Sequence, residues 1–218
     1  MTFEENEIPG INTYDDINPT LRSPNSLYEI QFYQTKESLL DVESYKKFLD
    51  NAISRFRHSK TYKNFKGHLI GLGLDKCQYL GNINTEMATI EMHHVITIYD
   101  IALIICEHIL NTVNRISTFD LVQLLKEEHK EYNVPIVMLS LTPHQLYHSD
   151  PEFFISPKMV FGRWDVLLEK YKYGITQDIA LKLMLYIKKA LEDDNSNDNG
   201  LLELREKIKD WSVYNNVY

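Results

Sequence analysis

The sequence predicts an α+β fold, and three observations carry that prediction. The short apolar runs "MATIEMHHV" and "PIVMLSL" have the length and residue types of strands. Longer segments bring apolar residues round every three or four positions, as Tyr45, Phe48, Leu49, Ala52, Ile53 and Phe56 do, and so describe helical faces. Apolar residues make up 44% and charged residues 25% of the 218 positions, a globular balance, and the run "ALIIC" at 102–106 is far too short to span a bilayer.

Taken along the chain, residues 1–40 read as an irregular arm, acidic at its start, with five acids and no Lys or Arg in the first twenty-one positions. Residues 41–66 read as one basic amphipathic helix. The stretch from Tyr45 to His68 holds seven Lys and Arg against one Asp. Next, "GHLIGLGLDKC" and "MATIEMHHV" are expected to form a hairpin turning at Gly81-Asn82, because Gly67, Gly71 and Gly73 resist helix. A long helix follows, with Thr97 set to cap it three residues before Asp100. A second starts at Ser117 or Thr118. The run at 135–141 is the next strand, and Thr142-Pro143 is a good opening for a short helix holding His144 and His148. Helices at 176–192 and 200–211, separated by the polar "EDDNSNDNG", complete a C-terminal helical region at 156–218.

Composition also narrows function. The opening "MTFEENEIPG" has neither basic flank nor apolar stretch, so no cleaved secretory signal is expected. Cys77 and Cys106 are too few for a disulfide scaffold and lack Cys-x-x-Cys spacing, which leaves histidine to carry any metal chemistry. A net charge of −8 argues against broad, sequence-independent nucleic-acid binding. The local basic stretch argues the other way, and Arg55, Arg57 and Lys60 are its candidate phosphate contacts.

His144 and His148 stand four apart, so a helix puts both imidazoles on one face. A catalytic zinc would want a third protein ligand and an open fourth position. The doublet His93-His94 can supply that ligand. Adjacent strand residues point to opposite sides, so one histidine could bind metal while the other serves as a general base.

At "IEMHHVIT" and "VMLSLTPHQLYHSD" the chain resembles the HNH, or ββα-metal, endonucleases, most closely the colicin-type nucleases. The resemblance implies a ββα-metal core at 67–155 interrupted by a helical insertion at 97–132, within helical flanks. It implies His93, His144 and His148 as metal ligands and His94 as the general base that activates water. The ion expected is Zn²⁺, with Mg²⁺, Mn²⁺ or Ni²⁺ as alternatives. The family's middle Asn, which orients the base, falls by spacing near Pro135, and Asn133 is the nearest candidate. Lys158 and Arg163, just beyond the pair, are candidate phosphate clamps, with ordinary surface cations as the alternative. Glu107, His108, Glu127, Glu128 and His129 read as solvated helix faces.

Three functions follow. The first is a metal-dependent nuclease of phage or other mobile-element origin, acting on DNA ahead of RNA. The second is a non-catalytic, zinc-stapled phage structural or interaction protein that keeps the same core and binds other phage proteins. The third is a helical binding protein whose histidines never meet. None involves a membrane, and the expected setting is host cytoplasm or the virion.

Overall fold

The computed structural model describes residues 20–21, 30–31, 33–194 and 199–214. The chain is α+β and mostly helical. Near the start, β1 (Thr20–Leu21) pairs with β2 (Ile30–Gln31), and β3 (Tyr33–Gln34) pairs antiparallel with β5 (Ile116–Ser117), which fastens the N-terminal region to the body. Further along the expected arm, Glu37–Leu39 forms a short 3-10 turn that buries Leu39, while residues 1–19, 22–29 and 32 lie outside the described residues.

The basic stretch forms two helices. Asp41 caps α1 (Val42–His58) by accepting from the Ser44 N–H, and Phe48, Leu49, Ala52, Ile53 and Phe56 are buried along one face. Ser59 then ends α1 and accepts from the Tyr62 N–H to open α2 (Lys60–Gly71). This corrects both the single helix at 41–66 and the strand at 67–77. Glycine costs a helix about 1 kcal/mol, but burying Leu69 completely returns about 1.5–3 kcal/mol. Packing wins. The expected turn is real, since Gly81 sits at φ 73 and Lys76 bridges Asn84, but no hairpin strand grows from it.

Instead β4 (Ile90–His94) finds its antiparallel partner in β6 (Ile136–Ser140), with His93 opposite Val137 and His94 opposite Ile136. Two helices intervene. Thr97 caps α3 (Ile98–Thr112) by accepting from the Asp100 N–H, and Ser117 with Asp120 forms a full capping box on α4 (Thr118–Lys130). Every residue of β6 is buried. The chain turns from β6 straight into α5 (Leu141–Ser149), with Ser140 at the cap two residues earlier than Thr142 suggested, and with Pro143 still in the first turn where its missing N–H costs nothing.

Beyond α5 come α6 (Trp164–Lys170), α7 (Gln177–Asp194) and α8 (Asn199–Tyr214). Two devices fix this region to the body. A side chain at Gly174 would lie 1.8 Å from the Ile104 carbonyl oxygen, so only glycine lets the turn there touch α3. Glu128 is fully buried and accepts from Lys170 Nζ at 2.6 Å, Tyr171 Oη at 2.6 Å and Asn133 Nδ2 at 2.7 Å. Glu128 and His129 are therefore core, not a solvated face: donors from distant residues make burial of the carboxylate tolerable. Among the described residues, no helix is long and apolar enough to cross a membrane.

Candidate metal centre

Alternation along β4 sends His93 and His94 to opposite faces of the strand pair. His93 turns toward α5. Because α5 starts where β6 ends, it runs back over β4 and lays His144 and His148, one turn apart, against His93. Ring centroids are 5.2 Å apart for His93 and His144, 5.1 Å for His93 and His148, and 5.0 Å for His144 and His148. One ligand atom from each lies within 4.8 Å of the others. The structure thus brings together three residues that the sequence singled out.

The triad is graded from core to solvent. His93 is buried, and its Nε2 has no hydrogen-bond partner. Leaving such an atom dry costs about 1–3 kcal/mol, which a bound cation would recover. His144 is half-buried and His148 exposed, so the site opens on the α5 side. Burial, with His144 and His148 beside it, lowers the His93 pKa to about 4. Its neutral form, the one that ligates, therefore prevails at neutral pH.

Glu91 completes the arrangement, and sequence reasoning passed over it. Two residues before His93, it emerges on the same face, and its carboxylate contacts His144 Nδ1. Accepting that proton leaves His144 Nε2 with its lone pair, the arrangement that orients ligating histidines. The signal was present in the strand's period of two. Tyr147 walls the site with its ring 4.2 Å from His93 and donates its hydroxyl to the Val95 carbonyl at 3.3 Å. Three imidazoles backed by a carboxylate suit zinc, whose Zn–N bonds of about 2.0–2.1 Å would draw the three nitrogens somewhat closer together.

His94 goes elsewhere. It is buried on the other face, and its Nε2 lies 2.9 Å from His129 Nε2. His129 Nδ1 is 2.7 Å from the Leu125 carbonyl and must donate to it, so His129 Nε2 is an acceptor and His94 Nε2–H is the donor. Phe56, Tyr62 and Phe65 enclose the pair. Burial, then His129, His93 and Arg57, hold the His94 pKa well below the usual range, and burial lowers that of His129 to about 4. The location lends no support to His94 as general base, because it faces His129 and not the triad. Nor does Asn133 orient it: that amide donates to Glu128 and Glu131 and accepts from Arg163 Nη2 at 3.0 Å.

The candidate phosphate contacts also scatter. Arg163 is tied down by Asn133 and by the Glu131 carbonyl at 3.1 Å. Lys158 is exposed on the short helical turn Pro157–Met159, outside the triad. Arg55, Arg57 and Lys60 are exposed where α1 meets α2, with Arg57 on the His94 side.

The family model described as bacteriophage G278-like virion protein matches residues 7–213 of the chain. No curated protein and no solved structure matches the chain.

Proposed function

This chain belongs to the bacteriophage G278-like virion protein family, and from that premise we propose that it serves the phage particle as a structural or interaction protein stapled by zinc. His93, His144 and His148 would hold the ion. Bound there, zinc would supply a crosslink between β4 and α5, elements far apart in sequence, and other proteins of the particle would be the partners. The observation that carries the zinc reading is the partnerless, buried Nε2 of His93 facing two further imidazoles.

A second reading, an HNH-like metal-dependent endonuclease, is favoured by the same triad and its solvent-facing side. Weighing against it is His94, which packs on His129 instead of facing the site. Elemental analysis of purified protein should find about one zinc per chain, and mass spectrometry of purified particles should find the chain. Metal-free protein from a zinc-replete preparation would sink the staple. Cleavage of DNA or RNA with Zn²⁺, Mg²⁺, Mn²⁺ or Ni²⁺ that disappears in His93→Ala would instead establish the nuclease.

A further inference from the structure

The α1–α2 corner carries a charge that the body of the protein leaves unanswered. Since Ser59 alone separates the helices, Arg55, Arg57, Lys60 and Lys63 crowd around one bend, and all four are exposed. Among the described residues none of them pairs with a carboxylate, whereas Lys170, Lys182, Lys188, Lys207 and Lys209 all do. Arg55 bonds only the Asn51 amide oxygen. No acid occupies the first turn of α2, so the positive end of that helix adds to the cations.

The matching charge is in the same chain. Residues 1–19 hold Glu4, Glu5, Glu7, Asp15 and Asp16 and no Lys or Arg. We propose that this acidic segment docks on the basic α1–α2 corner of its own chain. Reach does not limit the contact. Thr20 is paired with Gln31, near the anchored Tyr33, and the chain from Thr20 back to Glu7 and Glu4 extends at most roughly 40–55 Å. A body of this length has a radius of gyration of roughly 17 Å. Tethering gives the segment an effective concentration of order millimolar. A free polyanion has to displace it, and the overall charge of −8 opposes that polyanion's approach. The proposal is independent of the zinc reading.

Zero-length carbodiimide crosslinking of the full chain tests it, using a mixture of unlabelled and ¹⁵N-labelled protein at about 0.05 M salt. The expected products join Glu4, Glu5 or Glu7 to Lys60 or Lys63 within chains of one label. Their yield should fall about tenfold at 1 M salt, where the screening length is about 3 Å. It should fall similarly in Arg55→Glu/Arg57→Glu, which leaves both reactive lysines in place; circular dichroism checks that this variant is folded. Absence of the links, links indifferent to the charge reversal, or links distributed across both labels would each overturn own-chain docking. Loss of the links on adding about 1 μM duplex DNA would assign the corner to nucleic acid instead.

Discussion

His93 and His94 are covalent neighbours with opposite surroundings. His93 faces two imidazoles and a carboxylate at the edge of solvent, with a buried nitrogen left without a partner. His94 faces a third imidazole inside an aromatic cage and has found its partner there. Both are buried to similar extents, 7% and 6% exposed, so exposure does not separate them. Completeness does. A satisfied buried polar pair is architecture, whereas an unsatisfied one beside donors of the same kind is poised for a ligand.

The largest effect that would break this contrast is metal binding. Zinc at about a thousand times its dissociation constant should add about 4 kcal/mol to unfolding stability. His144→Ala should lose that increment and the bound zinc together. Equal zinc stabilisation of wild-type and variant in urea titrations would place the ion outside the triad.

Next comes acid. In the metal-free chain His129 takes up its proton only near pH 4, whereas the unfolded chain does so near 6.5. Within that window the unfolded state holds more protons, so stability rises with pH and falls as acid is added, His129 alone accounting for about 3 kcal/mol. His129→Gln can still accept from His94 without titrating, and should flatten the slope between pH 7 and 4.5. An unchanged slope would mean that the pair is not buried neutral.

Glu91→Gln sharpens the other side. Removing the carboxylate behind His144 should weaken zinc binding about 10–100-fold, as loss of an orienting partner typically does. Competition with a chromophoric chelator reads this directly. An unaltered affinity would reduce the Glu91 contact to a surface ion pair. The smallest change is Tyr147→Phe, which gives up only the bond to the Val95 carbonyl. It should cost about 0.5–1 kcal/mol in urea unfolding and leave zinc content intact. A loss of zinc in this variant would make the hydroxyl part of the site.

Much of this molecule is legible locally. Thr97 and Ser117 announce α3 and α4 because capping is a matter of three or four residues, and His144 and His148 share a face because α5 is a helix. The strand partner was not legible. A glycine-rich run beside β4 suggested a hairpin, while the actual partner at 136–140 lies beyond two helices and is fully buried. Glu91 was within reach of the period-two argument, but its contact with His144 requires α5 to have returned over β4.

By itself the sequence determined which residues are chemically able to ligate, their spacing on α5, the opposed faces of the His93-His94 doublet and the charge contrast between arm and basic stretch. Each depends only on residue type and short-range periodicity. Only the tertiary structure decided which face of β4 meets α5, and therefore that His93 joins the triad while His94 joins His129. It also decided that Glu128 is core, since its three donors come from residues 133, 170 and 171. The physical reason is the same in both cases. A polar group's role depends on whether its bonds are completed, and the partners that complete them arrive from parts of the chain that local pattern cannot place.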